Sequence, residues 1–295
     1  MKPTRITPDV RRKMKQIQIY TRRLLTNSLV GDSRSAIRGS GFEFDQIREY
    51  RQGDDIRFID WNASSRMNSL LVKEYIEERS QTILLCVDIS SSVLFGSTDA
   101  TKRDVMAEVA SVLALVANCG KDRTGLLLFS DEVELYIPPG RGHQHVNRII
   151  EFLFCHRSKH KTTSLQSILK RLIQERQRNA IVFLISDFID EDDTFKRYLP
   201  IASRMYDLIA LRCLDRNEKA LPAVGLLTIE DRETGELTTI DTRAGHNERL
   251  HSFFATRLDE PDKLFNRYGI ELLDISIHSS FVADLIKFFR RRMQY

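Results

Sequence analysis

The chain has 295 residues, 42% of them hydrophobic, which is enough for a large buried core in one big domain or two modest ones. Gly and Pro are scarce, at 13 and 7, which excludes a low-complexity or disordered composition. The 45 basic and 41 acidic residues leave a net charge of +4, too small an excess to imply general adhesion to nucleic acid or anionic lipid.

The first residues are polar and basic, with no apolar stretch of the kind a secretory signal carries. No run approaches the roughly 18 apolar residues of a membrane helix. A cytoplasmic protein with no integral membrane segment is expected. Cys86, Cys119, Cys155 and Cys213 stand apart with no C-x-x-C spacing. They are expected to be small buried thiols and not a disulfide or zinc framework.

Val10, Met14, Ile17, Leu24 and Leu25 recur near helical spacing and predict a helix over 8–29, with Thr7 as N-cap and Pro8 at its first position. Its basic face is read as solvated, with the helix packed on its own domain. Residues 37–80 mix Arg, Asp and Glu with aromatics and lack long periodic runs. Gly53-Asp54-Asp55 reads as a tight turn. Arg48, Arg51, Arg57 and Arg66 can pair with Glu43, Glu49, Asp54, Asp55 and Asp60. The expectation is a buried network pinning this segment to the main domain, with Trp61 as an apolar anchor. A partner-facing basic surface is the alternative.

From residue 82 the pattern becomes apolar strands alternating with amphipathic helices. Strands are predicted over 82–88, 124–129, 180–187, 208–213 and 270–275, with a hairpin partner at 133–137. Helices are predicted over 100–118, 145–154, 165–177, 195–206, 248–268 and 280–292. Residues 224–229 and 237–240, joined across Thr234-Gly235, predict a small hairpin. The fold class is therefore α/β, a doubly wound and mostly parallel sheet covered on both faces. Residues 1–80 form an N-terminal helix and signature segment packed on the main domain, which spans 81–295.

Function in such sheets gathers at the carboxyl ends of the strands. The first apolar strand ends in Asp88-Ile-Ser90-Ser-Ser92, so one carboxylate and two hydroxyls leave the sheet together. Asp187 ends the strand Ala180-Ile-Val-Phe-Leu-Ile-Ser-Asp187, and Thr163 lies in Thr162-Thr163-Ser164-Leu165 just before a helix. Hard oxygen donors of this kind suit Mg²⁺ or Mn²⁺. Asp88, Ser90, Ser92, Thr163 and Asp187 together resemble the metal-ion-dependent adhesion site of the von Willebrand factor A family, in that family's order. Thr163 is preferred to Thr162 because Thr-Ser-Leu before the helix resembles the family's usual phrase.

Upstream, Gly39 to Arg66 (GSGFEFDQIREYRQGDDIRFIDWNASSR), followed by Leu71-Val-Lys-Glu-Tyr75 and Glu78-Arg79, is similar to the signature of a bacterial family called domain of unknown function fifty-eight. Its members are typically encoded beside MoxR-type AAA+ ATPases, so the resemblance implies a partner of that class. Composition and spacing do not.

Enzyme signatures are missing. There is no phosphate-loop motif and no G-x-S-x-G elbow; Gly120 to Gly125 precedes a strand instead of opening a helix. A two-ion nuclease wants three or four convergent carboxylates, and two are found, although Asp190, Glu191, Asp192 and Asp193 follow closely. His143, His145, His156 and His160 are read as surface or loop residues. The expected function is a Mg²⁺-dependent protein-interaction adaptor, its ion completed by an acidic residue of the partner. The rival is a Mg²⁺-dependent phosphoesterase or nuclease.

Overall fold

A computed structural model of the chain describes residues 42–293 apart from 68, 78–80, 98–99, 159, 161, 178, 190–192, 217–224, 231–236 and 242–258, together with 8, 12, 15–19 and 21. The longest apolar runs of the sequence form one sheet. Strands β3 (Thr82–Asp88), β4 (Arg123–Phe129), β5 (Val133–Gly140), β6 (Ala180–Ser186), β7 (Asp207–Leu214) and β10 (Glu271–Ser276) lie in the order β10-β7-β6-β3-β4-β5. All neighbours run parallel except β4 and β5, which form an antiparallel hairpin.

Side chains alternate across the sheet, as the period of two requires. Ile83, Leu85 and Val87 enter one core layer, while Leu84 and Cys86 enter the other. The first layer is covered by α2 (Lys102–Cys119), α3 (His143–Cys155) and α7 (Phe281–Met293). The second is covered by α4 (Leu165–Glu175), α5 (Leu199–Met205) and α6 over 259–267. Helices therefore cover both faces, and the doubly wound α/β expectation holds. The helix α2 is almost wholly buried, from Val105 to Ala117, because its apolar residues run all round it. A capping box of Thr101 and Asp104 starts it.

The predicted helix over 195–206 divides into a 3₁₀ turn at Asp193–Arg197 and α5. Pro200 is the reason. It has no N–H for the helix interior and is tolerated in the first turn of a new helix. Of the predicted helix over 8–29, residues 8, 12, 15–19 and 21 are helical; Ile17 joins the first core layer, and Gln18 Nε2 donates to Asn147 Oδ1 at 2.9 Å. The rest of that prediction, the Thr234-Gly235 turn and the 248–258 part of the sixth helix lie outside the described residues. Strands β8 (Leu226–Glu230) and β9 (Leu237–Asp241) pair antiparallel in a sheet of their own, as expected for the small hairpin.

The segment upstream of β3 departs from expectation. Strands β1 (Phe42–Glu49) and β2 (Leu71–Glu77) form a separate antiparallel pair, with a 3₁₀ turn at Ile56–Phe58 and helix α1 (Trp61–Met67) between them. The Gly53 turn is present: Asp54 N–H donates to Arg51 O at 3.0 Å, and Gly53 has φ of +110°, open to glycine but not to most side chains. Arg48 grips Asp54 in a forked pair at 2.7 and 2.8 Å, and Arg57 grips Asp55. The Asp54 and Asp55 carboxyls are held well below their ordinary value, at about 2, first by these side-chain hydrogen bonds. But the network is not buried: the Arg57 side chain is 85% exposed. Asp60 pairs with Lys73, not with an arginine. Trp61 is no anchor either, being 64% exposed. Helix α1 turns Ser64 onto Leu71, leaving Trp61 and Met67 on its flanks to overhang a sheet only two strands wide.

The four cysteines divide. Cys86 and Cys213 are buried, Cys155 is half-buried and Cys119 is exposed, so the uniform expectation fails for Cys119 at the end of α2. Burial pushes the Cys86 thiol far up. Native protein treated with iodoacetamide should be alkylated at Cys119, while Cys86 and Cys213 react only on unfolding. Mass spectrometry that found Cys86 modified in the folded protein would contradict this core.

Candidate metal centre

Strand β3 lies between β4 and β6, and the connections that follow β3 and β6 cross opposite faces of the sheet. The connection through α2 leads to β4 over one face; β6, on the other side of β3, leads on to α5 over the opposite face. A crevice opens at such a switch point, outside the carboxyl ends of the two strands. Val87 lies beside Ile185 in the parallel register, so Asp88 stands level with Ser186 and Asp187 follows one residue further along, near enough for the two carboxyls to act on each other.

Asp88 is buried. Its Oδ1 accepts the Ser90 N–H at 2.9 Å and its Oδ2 accepts the Ser186 hydroxyl at 2.7 Å. Desolvation, and then the neighbouring Asp187 carboxylate, push the Asp88 carboxyl up, against the pull of these hydrogen bonds. Ser90 and Ser92 place their hydroxyls 3.0 Å apart, the second at the start of a 3₁₀ turn over Ser92–Leu94. Ile89 N–H donates to Phe129 O at 2.9 Å, fixing this loop to the end of β4. Asp187 Oδ1 accepts the Ile189 N–H at 3.2 Å, and Phe188 turns the chain sharply with φ of +56°.

Thr163 arrives from the far side of β4. Ser164 N–H donates to Ser130 O at 2.8 Å, which seats the residues before α4 at the end of that strand. The Thr163 hydroxyl is buried and has no hydrogen-bond partner among the described residues, whereas Thr162 is exposed. Leaving a buried hydroxyl unpaired costs about 1–3 kcal/mol. All five residues singled out in the sequence thus lie at one edge of the sheet.

The structure adds three residues. Ser186, the last of β6, holds Asp88. Lys102, the first residue of α2, places its Nζ 2.7 Å from Asp187 Oδ2, with the two side chains 1% and 0% exposed. The third is Glu134 in β5, which gathers the Ser130 hydroxyl at 2.8 Å, His156 Nε2 at 3.0 Å and the Ser158 hydroxyl, and so braces the loop that carries Thr163. Arg103 ties the same loop to α2 by donating to His156 O. His156 is therefore a buried loop residue, not a surface one. His143 and His145 lie in the first turn of α3, His143 at the surface as expected and His145 half-buried, with its Nε2 2.7 Å from Thr124 O. A cation at a helix N-terminus opposes the helix dipole, which makes Lys102 unfavourable for the helix itself but does not name its partner. Nothing local distinguishes Glu134.

Among the described residues no three carboxylate, imidazole or thiolate groups converge on one point. The donors are two carboxylates and three hydroxyls. Hard neutral and anionic oxygens of this number fit Mg²⁺ or Mn²⁺, and the unpaired Thr163 hydroxyl fits an unused ligand. Asp187 meets the fit less simply, because Lys102 already sits on one of its oxygens.

Removing one partner of a buried ion pair costs about 3–5 kcal/mol, because the other charge is stranded. Asp187→Asn should therefore lower stability in urea by about that amount, and Asp187→Asn with Lys102→Met should recover much of it. A loss below about 1 kcal/mol would match a solvated pair and contradict the burial seen here.

A family model described as protein of unknown function DUF58 matches residues 46–260, more than half of the chain. The uncharacterized protein Mb1516 of Mycobacterium bovis is 24% identical over 287 residues, covering 97% of this chain and 90% of that protein. Among solved structures, the conserved hypothetical protein BatB from Bacteroides thetaiotaomicron is 13% identical and covers 73% of this chain and 99% of its own, with a TM-score of 0.46. A von Willebrand factor type A structure from Catenulispora acidiphila is 13% identical and covers 76% of this chain and 51% of its own, with a TM-score of 0.36. By the extent of the family match, the chain belongs to the DUF58 family of proteins of unknown function.

Proposed function

We propose that the chain is a protein-interaction module with no catalytic activity of its own, which holds Mg²⁺ or Mn²⁺ with Asp88, Ser90, Ser92, Thr163 and Asp187. We further propose that it works with a MoxR-type AAA+ ATPase in the assembly or remodelling of other proteins. The observation that carries the metal reading is the buried Thr163 hydroxyl, unpaired at the same sheet edge as the two strand-end aspartates. The ATPase rests on the family resemblance alone.

The chemistry follows from the donors. Two carboxylates bind a divalent ion without saturating it, and neutral hydroxyls leave it electrophilic. An ion held there would offer an open position that a partner's Asp or Glu can fill. That contact selects a carboxylate by charge and geometry. Ser186 and the Ser90 amide hold Asp88, and Glu134 holds the Thr163 loop, so both donors are positioned before any partner arrives. Hydrolysis would need more. Three or four carboxylates hold the two ions of many nucleases, and this edge brings two together among the described residues.

Mg²⁺ should raise the melting temperature by mass action. Asp88→Ala should abolish the rise, and Ser90→Ala should weaken it. A purified MoxR-type ATPase, immobilised and presented with the full chain, should retain it with Mg²⁺ and release it with chelator. Retention of Asp88→Ala equal to that of the unaltered chain would refute binding through the ion. Turnover of a generic phosphodiester that disappears in Asp88→Ala would replace the adaptor with an enzyme.

A further inference from the structure

The carboxylates of this site are satisfied from within the chain in a way that the five expected ligands do not explain. Each of its four carboxylate oxygens accepts a hydrogen bond: Asp88 from the Ser90 amide and the Ser186 hydroxyl, Asp187 from the Ile189 amide and the Lys102 ammonium. Ser90 and Ser92 satisfy each other at 3.0 Å. Three of the four carboxylate contacts come from neutral groups. The fourth is a full positive charge on a flexible stem, almost without solvent contact.

We propose that Lys102 is the resident cation of this site, and that a divalent ion enters only by displacing its ammonium from Asp187. The inference rests on the metal reading above and goes beyond it by naming the competitor. An ammonium 2.7 Å from Asp187 Oδ2 takes the place on that oxygen that an incoming ion would take. A divalent ion on the same oxygen would stand close to the ammonium, and in a buried site their repulsion is little screened. Lys102 is also badly placed for helix stability, at the positive end of α2's dipole. Its position is accounted for by the site and not by the helix. A four-carbon stem lets the head leave while the backbone stays. The consequence is a site that is neutralised when empty and binds metal more weakly than its donors alone would.

The test is Mn²⁺ titrated into the full chain, with free Mn²⁺ followed by electron paramagnetic resonance and melting temperature recorded alongside. Lys102→Met should bind Mn²⁺ at least tenfold more tightly than the unaltered chain. Its ion-free form should melt lower, and Mn²⁺ should restore it. Lys102→Gln keeps a hydrogen-bond donor without the charge and serves where Lys102→Met folds poorly; it should also gain affinity. The double variant Lys102→Met with Asp88→Ala should lose the ion. If both single variants bind no more tightly than the unaltered chain, and Asp88→Ala still abolishes binding, Lys102 does not compete; the inference fails and the metal reading stands. Absence of binding in all three proteins, or binding that survives Asp88→Ala, would overturn both.

Discussion

Two carboxylates end adjacent parallel strands in the middle of a sheet covered on both faces, and much of the site answers to that constraint. Parallel pairing of β3 with β6 leaves no freedom to separate Asp88 from Asp187. Both are buried, and each ionised carboxylate carried from water into such a place costs several kcal/mol before any partner is counted. A fold that builds this pair must also supply protons, donors or cations to neutralise it. The Ser90 and Ile189 amides, the Ser186 hydroxyl and the Lys102 ammonium are that supply. On the Asp88 side every donor is neutral, and desolvation followed by the Asp187 carboxylate pushes that carboxyl up.

The scaffold was legible because its signals are local and strong. Buried parallel strands must be apolar on both faces, and the runs at 83–87, 126–129 and 180–185 are. Asp88 and Asp187 were legible for the same reason: a charge directly after such a run can only stand at the strand's end. The ends of α2 and α4 moved by a residue or two, within the usual fraying of helix ends. What the sequence did not show depends on partners far along the chain. Lys102 meets Asp187 across 85 positions, and Glu134 meets His156 across 22. Neither separation leaves a periodic trace. Trp61 misled because a large aromatic among charges reads as an anchor, whereas whether it is covered depends on how wide the neighbouring sheet is.

The segment around Trp61 shows where charge and apolar area go when there is too little sheet to cover them. Asp54, Asp55 and Asp60 are half-buried and turned toward Arg48, Arg57, Lys73 and backbone amides. Arg51, Arg57 and Arg66 are exposed beside Ile56, Phe58, Trp61 and Met67. That outer face therefore mixes cationic and large apolar side chains. It differs in kind from the strand-end crevice, which is narrow, buried and built from hard oxygens.

The crevice also bears on how far any event there can travel. The helix that begins at Lys102 is the most deeply buried of the described helices, with its first turn fixed by the Thr101–Asp104 capping box and its second residue, Arg103, bonded to the carbonyl of His156. From Val105 onward its apolar face is locked into the first core layer. Moving the helix would open that core, at a cost of several kcal/mol for each large side chain uncovered. Releasing the Lys102 stem leaves that core closed: the stem regains side-chain freedom, and the ion pair it gives up would be offset by the cation that takes its place at Asp187. A change of cation at Asp187 is therefore borne by one side chain while the backbone stays in place. On the proposed reading, the site would change its charge without changing its shape, as recognition of a partner's carboxylate by geometry would require.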